Sequence, residues 1–401
     1  MKLLVVSHKE CWASPSSPSG YATGGGFPYQ MQAIAELFDA TTLILALRTS
    51  TAPPGLAALT GPNLVVQAVR EPGGRGWVRK MALLIRLPRL LPSIWSAMRR
   101  ADAVHTPVPG DLGFLALVAA LVLRKRLFVR HCGTWGHRET LADRLLMWLL
   151  PRIAGARTIV MATGGGPAPP SGPSGKIQWI FSTTLRADDF ERLPQRPAWR
   201  RGQALRLVSA TRLDAAKNVE ASLRALPLIR ARYPLASLEI AGAGPARLAL
   251  EALAAELKVE REVTFLGNLS HREVLQLLQR GHIFLFPTRV AEGFPKAVLE
   301  ALACGLAVVA TAVSVVPHLI GNQRGIVLER PDGAAVAEAV LELIRDEERL
   351  AAMGRSGRAL ALEFSLERWQ QKIAERLTAS WGALRQDGGS RVLMAPRQGI
   401  A

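Results

Sequence analysis

The chain has 401 residues, of which 49% are apolar and 20% charged, so it is long enough for two domains and too apolar to be largely disordered. Three widely spaced cysteines without a CxxC pair, Cys11, Cys132 and Cys304, exclude a disulfide scaffold and a cysteine-ligated zinc site. Fifty basic and 32 acidic residues give a net charge of +18, which favours an anionic partner: a phosphorylated substrate, lipid headgroups or nucleic acid.

The N-terminal half alternates short β-branched runs with helical patterns, which predicts a parallel α/β sheet. The first residues, MKLLVVSHKECW, lack the apolar region of a secretory signal, so we expect a cytoplasmic protein, in solution or on the inner face of the cytoplasmic membrane. A helix is predicted over 30–38, and the apolar run 112–123 is too short to cross a bilayer and predicts a buried helix. The predicted strands cover residues 2–7, 41–47, 63–69, 101–106, 126–131, 156–162 and 176–181.

Two segments interrupt this pattern. The Gly/Pro/Ser-rich residues 163–175 predict a long surface loop, with an interdomain linker as the alternative, and the polar residues 191–203 predict the hinge. A second α/β series follows, and the tail over 336–381 is helical with a new helix starting at Ser365. Its predicted strands cover residues 204–210, 237–244, 263–268, 282–288, 306–311 and 325–329.

The fold class predicted from this order is α/β, with two Rossmann-like domains facing each other across a cleft. We expect the first domain over residues 1–195 and the second over residues 204–365. The C-terminal helix, about 366–385, is available to pack back on the first domain. Ligands of open parallel sheets bind at the carboxyl ends of the strands, so the cleft is the predicted site.

The sharpest motif is AEGFPKAVLEALACGLAVVAT, residues 291–311. Pro295 suits the first turn of a helix, and the free amides of Gly293 and Phe294 would then point outward at its positive end, where an anion or hydroxyl can bind. Glu292 in the loop can accept hydrogen bonds from ligand hydroxyls. Glu300 is eight positions further on, among apolar neighbours, where its carboxylate can bind a vicinal diol such as a ribose.

This pattern, EGFPxxxxExxxxG followed by VVAT, resembles the donor-site signature of the GT4-type retaining glycosyltransferases (glycosyl transferases group 1), which have the GT-B fold. The resemblance covers residues 204 to about 345. It includes LVSATRLDAAKNVEASLRAL at 207–226, whose basic pair is Arg212 and Lys217, and VTFLGNLSHREVLQLL at 263–278.

The resemblance implies a role for each matching residue. Arg212 and Lys217 supply positive charge to the donor diphosphate and to the leaving group, Glu300 holds the ribose, and Glu292, with Gly293 and Phe294 nearby, holds the transferred sugar. Gly25 and Gly26 allow the backbone to approach the donor phosphates. His131, at a strand end, faces the reaction centre, and His105 is a weaker candidate of the same kind. Arg212, Lys217, Glu292 and His131 are therefore the predicted catalytic residues. The donor site adds Gly25, Gly26, Gly293, Phe294, Pro295 and Glu300.

Some positions depart from the family pattern. Thr211 replaces a Gly, Ser314-Val315 a Gly-Gly, His318 a Glu, and Ser182-Thr183 an Asn-Gly. These departures concern the diphosphate loop and the sugar preference more than the reaction class.

The predicted function is therefore hexose transfer from a nucleotide diphosphate sugar to a glycan or lipid-linked acceptor, in cell-surface polysaccharide or glycolipid synthesis. No cofactor and no divalent metal are expected, because cationic side chains and a helix end stabilise the leaving diphosphate in this family. The basic amphipathic stretch 76–100 suits an anionic membrane surface, with a helix pair bearing a solvated basic face as the alternative.

Two other functions remain open at this stage. One is a sugar-nucleotide epimerase or sugar-phosphate synthase on the same scaffold. The other is a non-enzymatic basic protein that binds membranes or nucleic acid, although the chain has neither an RNP-like aromatic motif nor a zinc finger, so nucleic acid is not the expected partner.

Overall fold

The computed structural model describes residues 1–70, 92, 94–136, 138, 140–165, 175–194, 199–290 and 292–386. Three predicted segments therefore fall partly outside the described residues: most of the basic stretch 76–100, most of the loop 163–175, and part of the hinge 191–203. The described residues form a nine-stranded sheet and a six-stranded sheet with helices around both, so the predicted α/β fold class is confirmed.

The first sheet is parallel in its body, with strand order β5-β3-β1-β6-β7-β8-β9 and two short antiparallel strands, β2 and β4, added beside β1. Its strands are β1 (Lys2–Ala13), β2 (Tyr21–Thr23), β3 (Ala40–Leu47), β4 (Ala57–Ala58), β5 (Leu64–Arg70), β6 (Ala103–Val108), β7 (Arg126–His131), β8 (Thr158–Ala162) and β9 (Ile177–Trp179). The chain order reverses direction beside β1, which gives helices on both faces and brings the loops after β1 and β7 to the same edge.

The second sheet is parallel in order β12-β11-β10-β13-β14-β15. Its strands are β10 (Leu205–Ala210), β11 (Ala236–Ala241), β12 (Val263–Gly267), β13 (Ile283–Phe286), β14 (Ala307–Thr311) and β15 (Gly325–Leu328). Strands β13 and β14 are buried at every position, which explains why they are continuous apolar runs rather than alternating ones.

Helices cover both faces of each sheet. They are α1 (Phe27–Ala35), α2 (Asp111–Val122), α3 (Leu141–Ile153), α4 (Ala187–Arg192), α5 (Val219–Arg230), α6 (Arg247–Glu256), α7 (His271–Arg280), α8 (Lys296–Ala303), α9 (Val316–Ile320), α10 (Gly333–Leu343), α11 (Glu347–Leu362) and α12 (Leu366–Trp381). Capping boxes define two of the starts: the Thr140 and Ser270 side chains accept hydrogen bonds from the backbone of Asp143 and Glu273, whose carboxylates accept from the cap residues in return.

Helix α2 is buried on one face only. Leu112, Ala116 and Leu117 pack into the core of the first domain, whereas Val118 and Val122 are 41% and 67% exposed. The expectation of a buried helix over 112–123 is therefore wrong only at Val118 and Val122, and the other positions are buried or half-buried. An all-round apolar helix is normally enclosed, because its exposed side chains lose the stabilisation that burial provides.

The last helix, α12, returns from the second domain to the first sheet. Ser365 caps its start, Gln370 Nε2 donates to the Ala33 carbonyl at 2.7 Å, and Trp381 Nε1 donates to the Ala156 carbonyl at 3.1 Å. The guanidinium of Arg130 lies 5.2 Å from the ring centre of Trp369, which is completely buried. These contacts attach α12 to the N-terminal domain. The domain boundaries 1–195 and 204–365 stay a prediction, because residues 195–198 lie outside the described part of the chain.

His105 makes stability depend on pH. It is completely buried, stacks on Phe128 at 4.4 Å, and its Nδ1 is 2.9 Å from the Phe128 carbonyl oxygen. Burial lowers its pKa to about 3. Below pH ~6.5 this histidine is protonated in the unfolded chain but stays neutral in the folded protein. The free energy of unfolding therefore falls as the pH is lowered from ~6.5 toward the folded pKa, by up to about 1.4 kcal/mol per pH unit.

We therefore expect the free energy of unfolding of His105→Gln to fall less steeply than that of the wild type as the pH is lowered. Glutamine keeps an N–H donor at this position but does not titrate. Urea denaturation midpoints at neutral pH and at successively lower pH values measure the two slopes. Identical slopes would show that His105 does not carry this dependence.

Candidate functional site

The two domains meet where strands β7 and β8 end and the loop before α8 begins. A Cβ on Gly293 would lie 2.0 Å from the Cys132 carbonyl oxygen, and a Cβ on Gly164 would lie 2.7 Å from the Gly293 Cα. Glycine at 293 and 164 is therefore required for this close approach of the two backbones. Ser314, one of the departures from the family pattern, donates from Oγ to the Gly293 carbonyl at 3.3 Å.

Glu300 lies at the centre of this contact between domains. It is 8% exposed, and its Oε1 accepts a hydrogen bond of 2.5 Å from Thr184 Oγ1 in the N-terminal domain. The Nδ1 atom of His271 lies 3.5 Å from the same oxygen. Glu300 is therefore not an exposed helix residue, and its carboxylate is held on the cleft side of α8.

A cavity of about 220 Å³ opens beside Glu300. It lies at the carboxyl ends of β10 and β11, the place where parallel sheets bind ligands. Residues that line it include Thr211, Arg212, Gly242, Asn268 and Glu300. A lining that contains both a carboxylate and a guanidinium suits a ligand with a diol and an anionic group.

Lys217 and Glu292 form an ion pair, Nζ to Oε1, and their side chains are only 10% and 21% exposed. Asp214 accepts a hydrogen bond from the Lys217 amide at 3.1 Å, which fixes the short 3₁₀ turn that carries Lys217. The structure therefore brings together two predicted site residues that are 75 positions apart in sequence.

Arg212 is placed differently. Its side chain is 78% exposed, with Nη2 3.4 Å from Asp214 Oδ2. Since the residue also lines the cavity, it lies at the rim rather than in the interior. Solvent therefore screens the charge of Arg212 more strongly than the charge of the enclosed Lys217.

Gly25 and Gly26 precede α1 at the same edge of the first sheet. Gly25 has φ +71°, a conformation that favours glycine, and Gly26 is the N-cap of α1. A Cβ on Gly26 would lie 2.4 Å from Thr184 Cγ2 and 3.1 Å from Lys296 Nζ. Because residue 26 is a glycine, its backbone can lie in contact with Thr184 and Lys296, the two residues beside Glu300.

We expect Gly26→Ala to displace Thr184 and Lys296 and to weaken binding of a nucleoside diphosphate, with an overpacking cost of about 1–3 kcal/mol. Gly24→Ala is the matched control, because a Cβ there would meet only Leu56 Cδ2 at an ordinary 3.5 Å. Isothermal titration of both variants measures the difference. Equal affinities would remove Gly26 from the donor site.

His131 ends β7 at the interdomain contact. It is 3% exposed, its Nδ1 has no hydrogen-bond partner among the described residues, and the Trp135 ring meets it edge-on at 5.3 Å. Burial lowers its pKa to about 4, so the ring is neutral at pH 7. A neutral imidazole at this position can exchange hydrogen bonds with a sugar hydroxyl. His105 instead lies inside the sheet, which makes it a structural residue.

Four residues of the cleft were missed by sequence reasoning: Thr184, His271, Lys296 and Lys9. Burial lowers the pKa of Lys296, against the opposing charge of Glu300, and burial also lowers the pKa of Lys9, with further lowering by the charge of Lys296. The sequence offered one signal for this group, since Lys296 directly follows the residues EGFP of the motif. Within the described residues, no group of three or more His, Cys, Asp or Glu side chains could hold a metal ion, and the expectation of no metal stays a prediction.

Part of the chain matches a known protein family, and its fold is similar to that of solved structures. Residues 191–360 match the family model described as glycosyl transferases group 1. The chain is similar in fold to Anabaena HepE bound to UDP-glucose, with a TM-score of 0.68, 16% identity, and coverage of 94% of this chain and 100% of that one. It is also similar in fold to WaaG, a glycosyltransferase of lipopolysaccharide biosynthesis, with a TM-score of 0.62, 16% identity, and coverage of 94% and 99%.

The chain is also similar to mannosyltransferases over part of its length. The chain is 34% identical over 175 residues to a GDP-mannose-dependent monoacylated alpha-(1-6)-phosphatidylinositol monomannoside mannosyltransferase of Corynebacterium glutamicum, an alignment covering 42% of this chain and 44% of the relative. It is 28% identical over 295 residues to the GDP-mannose-dependent alpha-(1-6)-phosphatidylinositol monomannoside mannosyltransferase of Mycobacterium tuberculosis, covering 67% and 74%. The chain thus spans less than half of the first relative and about three quarters of the second.

The chain has the fold of the GT-B glycosyltransferases. Residues 191–360 match the glycosyl transferases group 1, so the predicted resemblance is confirmed over this part of the chain. The predicted fold is confirmed, whereas the activity of the whole protein and the roles of the individual site residues stay predictions.

Proposed function

We propose that the protein is a retaining hexosyltransferase that moves a sugar from a nucleotide diphosphate donor to a glycolipid acceptor, in cell-surface glycolipid or polysaccharide synthesis. The observation that carries this proposal is the convergence of Lys217, Glu292 and Glu300 on one cleft, beside a cavity of about 220 Å³. Because the relatives described above use GDP-mannose and act on phosphatidylinositol mannosides, mannose transfer from GDP-mannose to an inositol glycolipid is the reaction to test first.

Each residue has a chemical part in this reaction. The Glu300 carboxylate accepts hydrogen bonds from the two ribose hydroxyls, and Arg212 at the rim attracts the diphosphate. Lys217 stabilises the charge that grows on the departing diphosphate, and the N-terminus of α8, with the amides of Gly293 and Phe294, adds to that field. Glu292 and neutral His131 hold hydroxyls of the transferred sugar. The leaving phosphate itself assists deprotonation of the acceptor, so no protein nucleophile and no metal are required.

The Lys217–Glu292 ion pair has a consequence for donor binding. In the described structure each charge neutralises the other, so the donor must separate or share them. The diphosphate draws Lys217, while the sugar hydroxyls occupy Glu292. Binding therefore exchanges one enclosed ion pair for two sets of charge-assisted hydrogen bonds, which favours the complete donor over either half of it.

The acceptor domain is proposed to work at an anionic membrane surface on the cytoplasmic side. The sequence supports this through the basic stretch 76–100, of which residues 76–91 and 93 lie outside the described part of the chain. No helix among the described residues has the length and apolar character needed to cross a membrane. Salt-dependent binding to vesicles of anionic lipid is the corresponding measurement.

A donor screen tests the proposed activity. Thermal denaturation with GDP-, UDP- and ADP-sugars should show stabilisation by one nucleotide class, because a ligand that binds only the folded protein raises its melting temperature. Radiolabelled donor should then transfer its label to a glycolipid. A labelled free sugar isomer or sugar phosphate would indicate an epimerase or a synthase, and salt-dependent RNA binding without any donor binding would indicate a nucleic-acid-binding protein.

A further inference from the structure

Helix α3 exposes an unusual stripe. Leu141, Arg144, Leu145, Trp148 and Arg152 all point to solvent, at spacings of three and four residues that place them along one side of the helix. Leu141 is 82% exposed, Trp148 53% and Leu145 43%, while the opposite side is buried against the first sheet. The solvent side of a surface helix is ordinarily polar, and here three of its five residues are large and apolar.

The neighbouring helix has the same property. Val118 and Val122 of α2 are 41% and 67% exposed, one turn apart, and residues 112–123 contain no charged side chain. Helices α2 and α3 follow the adjacent strands β6 and β7 and bury their inner sides in the same core cluster. They therefore lie side by side in one layer. We call their outer surface the α2–α3 face, defined by Val118, Val122, Leu141, Leu145, Trp148, Arg144 and Arg152.

The charge on this face selects one kind of occupant. Arg144 and Arg152 are exposed within the apolar stripe, and the Arg152 guanidinium lies 4.3 Å from the ring centre of Trp148. A tryptophan beside arginines on an apolar helix side is the composition that partitions into the boundary between lipid headgroups and acyl chains. The arginines attract anionic headgroups, and their long side chains can extend toward them while Leu and Trp enter the apolar boundary.

We propose that the α2–α3 face docks on an anionic lipid bilayer. The proposal deepens the function above, since it rests on a glycolipid acceptor, and it assigns the contact to described residues outside the basic stretch 76–100. The described end of that stretch, helical residues 94–100, contributes Ile94 and Met98 to the same core cluster.

Docking in this orientation also serves the reaction centre. The segment between His131 and α3 is short, the Trp135 ring contacts His131, and the Gly136 amide donates to Met147 Sδ at 3.4 Å. The middle of α3 is therefore anchored, through Met147 and the segment 135–136, beside the strand end that carries His131. A bilayer bound along α3 would present a membrane-embedded acceptor next to the cleft.

The experiment compares two double variants of the full chain. Leu145→Glu with Trp148→Glu places charge on the face, and Leu228→Glu with Leu248→Glu is the matched control on the donor domain, where these leucines are 49% and 80% exposed. Both are sedimented with vesicles of phosphatidylcholine containing about one-third phosphatidylglycerol. We expect wild type and control to bind alike and the face variant to bind roughly tenfold more weakly or worse. Melting temperatures check that both variants fold.

A second variant separates charge from apolar insertion. Arg144→Glu with Arg152→Glu retains the apolar stripe, and its remaining vesicle binding should lose the salt dependence that the wild type shows. Wild type that does not bind the vesicles, or a face variant that binds like the control, would overturn the proposal. So would a wild-type dimer in light scattering that the face variant dissociates without any effect on vesicle binding.

The readouts also separate this proposal from the proposed function. Donor hydrolysis without acceptor should be equal in wild type, control and face variant, because none of the changed residues is in the cleft. If the wild type binds vesicles through this face but hydrolyses and transfers no nucleotide sugar, the proposed function fails and the docking surface stands. If the wild type transfers sugar normally while the face variant still binds vesicles, the docking surface fails and the proposed function stands.

Discussion

Glu300→Ala is expected to weaken binding of the donor nucleoside diphosphate by roughly 10- to 150-fold for each ribose hydrogen bond lost, since a charge-assisted hydrogen bond contributes about 1.5–3 kcal/mol. The carboxylate is 8% exposed and borders the cavity, so water replaces the lost partner poorly. Calorimetric titration of wild type and variant with GDP and UDP measures the effect.

Thr184→Val is the control for this result. It removes the hydrogen bond to Glu300 Oε1 and leaves the carboxylate in place, so it distinguishes a direct contact with the ribose from an effect on the contact between domains. We expect Thr184→Val to alter affinity much less than Glu300→Ala. Unchanged affinity in Glu300→Ala would exclude this residue from the donor site, and equal losses in both variants would assign it a role in joining the domains.

Lys217→Ala is expected to lower kcat by roughly 100-fold or more, with a smaller loss in donor affinity, because charge on the leaving diphosphate increases in the transition state. The enclosed position of Lys217 strengthens its field, and its removal also leaves Glu292 without a cation in a half-buried place. Steady-state kinetics together with donor titration separate the two quantities.

Arg212→Ala provides the comparison. Its side chain is 78% exposed, so solvent screening reduces its effect, and we expect the loss in kcat to be clearly smaller than for Lys217→Ala. If binding and rate fall by the same factor in Lys217→Ala, the lysine anchors the ground state and has no special role in the transition state. If Arg212→Ala is the more damaging change, the rim must close over the donor during turnover.

Two central strands of the second domain were predictable from sequence because they are apolar and buried at every position. The four-residue β13 and the five-residue β14 lie within the predicted runs 282–288 and 306–311. The first domain was harder. Strands β2 and β4 contain only three and two residues in a Ser/Pro/Gly-rich region, too short for any alternation to be visible. β1 also continues to Ala13 through polar residues, since its end pairs with β3 after a register shift between Val6 and Glu10.

The site likewise contains residues that the sequence could predict and residues that it could not. The EGFP motif indicated Glu292 and Glu300 because their spacing on a loop and helix is local. Their partners are set by tertiary contact: Thr184 is 116 positions from Glu300, and Lys217 is 75 from Glu292. No periodicity or composition in one sequence specifies such pairs. The same limit explains helix α2, since its apolar composition reveals nothing about which side the sheet covers.

The return of α12 to the first sheet affects the order in which the protein matures on the ribosome. The N-terminal half is synthesised first, yet the helix that encloses Arg130 and carries Trp369 emerges only after the entire donor domain. Until then the nascent N-terminal half exposes the surface that α12 will cover, including the carbonyls of Ala33 and Ala156. The N-terminal domain therefore gains its last helix only after the donor domain has been translated, so its packing is completed last although its synthesis begins first.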